Sequence, residues 1–224
     1  MTAGLRRQLE ALQPRPGNNL VEFKPDTKYA AIVSAGVTAR AATAQNAGDT
    51  TGLEAQPATV VGPVVTTTQQ GVLAPGILEA VRAGTPLLAI PQADALSDGV
   101  AKQLAAAGAF TFRGNVGDFR APWMGSWYFV RKHPVYEGMP VDQAMGIHYQ
   151  AKGRESNGLL VDRAPGGAEV EIIAAYSRDH DRRIGAGTFT TRLGAGKVLY
   201  HRVPEMQPVL QARFLANALR WLTR

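Results

Sequence analysis

Between residues 72 and 112 the apolar positions switch twice between helical spacing and unbroken runs. VLAPGILEAVRAG carries Ile77, Leu78 and Val81 at helical spacing and stops at Gly84, as a helix ends where the chain turns left-handed. TPLLAIP follows as a short all-apolar strand. DALSDGVAKQLAAAG then reads as a second helix, started by Asp94 or Ser97 and closed by Gly108, with AFTF as the next strand. Strands apolar on both faces, joined to helices by tight connections, predict a parallel sheet covered on both sides. Upstream, YAAIVSAGV (29–37) is a buried strand ending in glycine, followed by an Ala-rich segment with helical character. ATVVGPVV (58–65) is apolar and β-branched but broken by Gly62 and Pro63, which leaves its register open. The amino-terminal half therefore reads as doubly wound α/β.

At the amino terminus Leu5, Leu9 and Leu12 form one helical stripe before QPRPGNN breaks the pattern. Residues 1–24 are expected to be an entry helix and linker, and 25–224 one α/β domain. The later half changes character. An aromatic segment, WMGSWYFV (123–130), and a Pro/Gly-rich loop, HPVYEGMP (133–140), precede three expected strands at 158–162, 169–177 and 185–193. GAGKVLYHRV adds a further strand. PVLQARFLANALRWLTR closes the chain as a helix with Val209, Leu210, Phe214, Leu215, Ala218, Leu219 and Leu222 on its apolar face. Mixed strands and a docking helix suit the far edge of the same sheet.

With 224 residues, 45% of them hydrophobic, the chain has enough apolar side chains for a large core. A net charge of +6 raises the prospect of a polyanion partner. The arginines, however, are scattered from Arg6 to Arg224, with no basic run interleaved with aromatics, which argues against nucleic acid. Cysteine is absent, so disulfides, thiolate metal sites and thiol nucleophiles are excluded. Residues 1–20 lack the continuous apolar core of a signal peptide, and no stretch approaches a membrane span, so no membrane partner is expected.

Candidate chemistry centres on IPQADALSDG, residues 90–99, where a strand hands over to a helix, as at many nucleophile elbows. Ala93 occupies its centre. Asp94 and Asp98 are four residues apart and share a face if both are helical, a geometry able to hold a cation or a sugar hydroxyl. The simpler reading is helix capping, stabilised by the helix dipole by about 0.3–1 kcal/mol. His133, His148, His180 and His201 are isolated, without metal-ligand spacing, so no metal site is expected. His180 falls in SRDHDRR, read as a solvated hairpin tip. Ser126 in MGSWY lacks the strand-to-helix context of a serine elbow. GAGTF (185–189) and LGAGK (193–197) lack nucleotide-binding spacing and read as β-turns, and no cofactor is expected. Trp123, Trp127, Tyr128 and Tyr136 have the ring faces that stack on a pyranose, and are equally ordinary packing anchors.

Three stretches carry a family resemblance: PLLAIPQADALSDGVAKQL, WYFVRKHPVYEGMP and LGAGKVLYHRVPEMQPVLQARFLANALRWL. Together they resemble the glutamine-amidotransferase-like, flavodoxin-like accessory domain of large glycoside hydrolases, notably family 2 enzymes of the β-galactosidase type. They are also similar to the trehalose-utilisation family, whose members share an HP loop and a GkGrv-y strand before a final helix. The resemblance spans roughly residues 72–224. It implies a flavodoxin-like, mainly parallel sheet with an antiparallel edge and a carboxyl-terminal helix. In active amidotransferases the elbow reads roughly GxCxG, placing a thiolate beside backbone N–H groups that hold an oxyanion. If PQADA aligns there, Ala93 replaces the nucleophile, and Pro91 and Ala95 replace the glycines.

The resemblance thus implies a non-catalytic accessory domain that packs against other domains or subunits, with carbohydrate contact and homo-oligomers as further expectations. The carboxylate pair of β-glycoside hydrolysis would lie elsewhere. Gln92, Asp94, Asp98, Trp127 and His133 are the candidate ligand-binding residues. Two rivals remain: a free-standing trehalose-utilisation-type enzyme or sugar-binding protein using His133 and a pocket beside Gly36 and Gln92, and a basic polyanion-binding module. A polysaccharide-degrading parent would place the domain in the periplasm or outside the cell, any other parent in the cytoplasm.

Overall fold

The computed structural model describes Arg7 and residues 20–22, 24, 27–35, 64–67, 72–91, 99–115, 126–141, 149–150, 158–178, 181–202, 205–206 and 208–224. Five strands form its parallel half: β1 (Leu20–Glu22), β2 (Ala31–Ala35), β3 (Val64–Thr67), β4 (Leu87–Ile90) and β11 (Gly196–His201), in the spatial order β1-β3-β2-β4-β11. Beyond β11 the sheet becomes antiparallel. There β10 (Asp181–Leu193) pairs with β11, with β9 (Glu171–Arg178) and with β8 (Leu159–Asp162). β6 (Ser126–Val130) lies outside β9, and β5 (Thr111–Asn115) pairs with β8. A separate ribbon joins β7 (Tyr149–Gln150) to β12 (Glu205–Met206). The fold is α/β, flavodoxin-like, with a mainly parallel central sheet, antiparallel members and a carboxyl-terminal helix.

Alternate side chains of the parallel strands enter two cores. On one face Ala31, Val33, Leu88 and Leu199 lie with α3 (Pro208–Leu222), through Phe214, Leu215, Ala218, Leu219 and Leu222, and with η1 (Pro134–Tyr136), a 3-10 turn. On the other, Ile32, Leu87, Ala89, Val198 and Tyr200 meet Ile77 and Val81 of α1 (Ile77–Arg82) and Val100, Ala101 and Leu104 of α2 (Gly99–Ala106). A strand buried on both faces gains from every side chain, at roughly 25 cal/mol per Å² of apolar surface. That is why these strands read as unbroken apolar runs.

Four expectations need correction. The sheet begins at Leu20, inside the stretch expected to be linker, because β1 pairs in register with β3. AFTF does not continue the parallel sheet: β5 lies at the far end, antiparallel to β8. The position beside β4 belongs to β11, which buries almost every side chain, whereas TFRGN of β5 buries none fully. GAGTF is no turn but part of β10, with Gly185 where the backbones crowd: a Cβ on Gly158 would fall within contact distance of the Gly185 backbone. Finally, Val209 is exposed, and Asn217 is buried in its stead.

Apart from Arg7, the entry helix expected before QPRPGNN, the Ala-rich segment after Val37 and the start of the second helix at Asp94 or Ser97 lie outside the described residues; the remaining elements fall where the hydrophobic pattern puts them. LGAGK does make the turn between β10 and β11, with Gly194 at φ +60°. SRDHDRR spans the β9–β10 hairpin, where Arg178 registers with Asp181. Gly196 sits beneath the end of α1, and any Cβ there would collide with the Val81 carbonyl.

Candidate functional site

The chain passes from β2 to β3 on one side and then to β4 on the other, so β2 and β4 form a topological switch point. Open α/β sheets bind ligands outside the carboxyl ends of their strands at such a point. Ala35 of β2 registers with Ile90 of β4 there, followed by the buried Pro91. β11 runs parallel to β4 with Tyr200 opposite Ala89, so His201 and Arg202 reach the same edge.

A buried hydrogen-bonded chain ends at this edge. The Tyr136 hydroxyl lies 2.9 Å from Thr188 Oγ1, and Thr188 Oγ1 lies 2.8 Å from His201 Nδ1. η1 supplies the tyrosine, β10 the threonine and β11 the histidine, and Thr188 and His201 are register partners. The His201 ring stacks on Phe214 of α3 at 3.8 Å between centroids. Complete burial pushes the His201 pKa down to about 3, so the imidazole is neutral at physiological pH. Beside it, Arg202 donates through Nη1 to Asn115 Oδ1 at 3.0 Å, and its N–H bonds the Gly187 carbonyl. A neutral imidazole tied to a hydroxyl in a closed core orders three elements; it is poorly suited to proton transfer with solvent.

His133 stands elsewhere. Its Nδ1 accepts from the Val135 N–H at 3.3 Å, capping η1, and its backbone is extended, as expected before proline. Its ring packs 5.5 Å from Trp221 near the end of α3, and Lys197, at the start of β11, lies over Trp221 at 5.2 Å. Burial lowers the His133 pKa, partly offset by the Glu171 carboxylate. The HP loop is clamped to α3: Asn217 Nδ2 donates to the Glu137 carbonyl at 2.9 Å, and Arg213 Nη1 to the Gly138 carbonyl at 2.5 Å. His133 thus caps η1 and packs against the carboxyl-terminal end of α3.

Gln92, Asp94 and Asp98 lie outside the described residues, as do Ala93 and Gly36. Trp127 belongs to β6 by its backbone, opposite Ser177. Tyr136 is 1% exposed and is a core residue, closed to ring stacking with a sugar. The Tyr136–Thr188–His201 chain escaped the sequence reading, because its members are 52 and 13 positions apart and follow no motif. The one signal was a histidine closing the apolar run VLYH. Among the described residues no group of three or more His, Asp or Glu side chains is placed to hold a metal.

No family model matches the chain, and no curated protein does. Among solved structures it is similar to a cytoplasmic protein from Salmonella typhimurium LT2, at 16% identity and TM-score 0.42 over 66% of this chain and 59% of that one. A second cytoplasmic protein from Salmonella typhimurium matches at 15% identity and TM-score 0.40, over 67% and 61%. The cold-adapted β-galactosidase of Rahnella sp. R3 matches at 11% identity and TM-score 0.38, over 73% of this chain and 25% of that one. The chain thus spans about three fifths of the first two and a quarter of the third.

Proposed function

We propose that this chain is a non-catalytic accessory domain of a glycoside hydrolase, acting through surfaces that pack against other domains or subunits. The observation that carries this reading is the state of the polar groups at the carboxyl edge. Thr188 bonds both Tyr136 and His201, Arg202 bonds Asn115, and burial holds His201 neutral. These groups organise the interior, and the absence of cysteine removes the nucleophile that the similar amidotransferases use. Support for contact surfaces comes from the apolar side chains left in solvent at Val72, Phe129, Ile184 and Val209. Carbohydrate contact is a secondary expectation.

The test is an assay of the whole chain on chromogenic β-glycosides, alongside thermal melting with and without mono- and disaccharides. No turnover and no sugar-dependent rise in Tm are expected. Turnover abolished by one substitution within this chain overturns the proposal, and sugar-dependent stabilisation favours the sugar-binding rival.

A further inference from the structure

Two histidines hold the layer made by η1 and α3, and they do so through different kinds of partner. His201, 5% exposed, meets the Thr188 hydroxyl, a group that can turn either to donate or to accept. His133 meets the Val135 backbone N–H, which can only donate. To accept at Nδ1, the His133 ring must keep its proton on Nε2 and carry no charge. A proton added at Nδ1 sets two donors face to face and ends the bond. The ring is partly exposed, so solvent protons reach it without unfolding the chain.

We propose that His133 is a proton-operated latch on the 133–140 loop. While neutral it caps η1 and keeps the turn seated on α3; when Nδ1 takes a proton from solvent, the cap is lost and the turn loosens. The other amides of the turn are independent of the imidazole: Tyr136 N–H bonds the His133 carbonyl at 2.9 Å, Glu137 N–H bonds the Pro134 carbonyl at 3.2 Å, and Pro134 has no N–H. Val135 N–H is the donor left to the side chain. Beyond the turn, Asn217 and Arg213 of α3 hold the Glu137 and Gly138 carbonyls. Loosening at Val135 is therefore a local hinge motion, with the far end of the loop still tethered.

The surrounding charges favour the open form for a protonated ring. Glu171 of β9 is the carboxylate that favours the imidazolium, and burial opposes it. Arg131, whose N–H bonds the Ile173 carbonyl of β9, and Lys132 directly precede His133. From β11, Lys197 donates to the Trp221 carbonyl at 3.2 Å. α3 brings Arg213, engaged on Gly138, and Arg220, 3.8 Å from Glu137. Cations outnumber carboxylates here, and a further positive charge is better screened in the open loop. The sign follows from linkage. Burial holds the His133 pKa below 6.5 in the closed loop, and opening returns it toward that value. The open form thus binds the proton more tightly and gains population as the pH falls below about 6.5.

Residue-resolved hydrogen exchange of the full chain between pH 7 and pH 5 tests the latch, with each rate corrected for the pH dependence of the chemical step. The Val135 amide is expected to lose roughly fivefold in protection relative to the β11 amides, the worth of one hydrogen bond. His133→Asn supplies a capping oxygen without a titrating ring and should keep Val135 protection level across the window. His133→Ala should leave Val135 weakly protected at every pH. Glu171→Gln removes the charge that favours the imidazolium and should move the midpoint to lower pH. The His201 step, at about 3, lies outside this window. A loss in the unaltered chain that is absent in His133→Asn supports the latch. Val135 protection that holds from pH 7 to pH 5 overturns it, as does an equal loss in His133→Asn.

Discussion

The parallel half of the sheet and its antiparallel arm are made of similar residues and solve opposite problems. β4 and β11 lie between strands and between helices, so their side chains enter one core or the other. β6 ends the arm, buries Val130 and leaves Phe129 in solvent. Both segments read as apolar runs. Burial on both faces makes one a scaffold, while the other pairs with a described strand on one side only. The two regions meet at β10, whose Thr188 carries the buried hydrogen-bonded chain.

The largest expected effect lies at that junction. The His201 pKa is lowered from 6.5 to about 3 in the folded chain, so on acidification the unfolded chain binds the proton first. The stability linked to His201 is complete above about pH 6.5 and falls as the pH drops toward 3, by roughly 4–5 kcal/mol in all at ~1.4 kcal/mol per unit. Urea midpoints from pH 7 to 4 should show that decline. His201→Leu, which leaves Tyr136 and Thr188 bonded to each other, should flatten it, and an unchanged slope would remove His201 as the cause.

Leu88→Ala, in the doubly covered half, should cost about 3 kcal/mol by cavity formation, whereas Phe129→Ala, at a half-exposed position of the arm, should cost about 1 kcal/mol. Equal losses in chemical denaturation would erase the contrast between the two regions. Tyr136→Phe removes the hydroxyl beside Thr188 at constant volume and should cost about 1 kcal/mol. Smallest of all, Arg113→Ala breaks the exposed 2.6 Å pair with Asp162 across β5 and β8 and should shift the denaturation midpoint by no more than about 0.5 kcal/mol.

Much of the architecture was legible because it follows from local period. The apolar run at Leu87–Ile90, the helical stripe from Leu210 to Leu222 and the strand before His201 each announce their own burial. Pairing is a different matter. AFTF looks like the next parallel strand, and only competition with the more apolar β11 for the place beside β4 sends it to β8. Of the candidate site, the extended backbone of His133 follows from the proline after it, whereas its capping bond to Val135 emerged only in the structure. Its packing on Trp221, 88 positions away, could not be foreseen.

By itself the amino-acid order determined the α/β class, the closing helix and the exclusion of thiol chemistry, because periodicity and residue type are properties of a segment. Tertiary structure alone decided which strand neighbours which, that Tyr136, Thr188 and His201 form one buried chain, and that β6 pairs with β9 at the end of the antiparallel arm. Those outcomes depend on groups far apart in the chain competing for the same neighbours, and a hydrogen bond across 52 residues leaves no trace in local spacing.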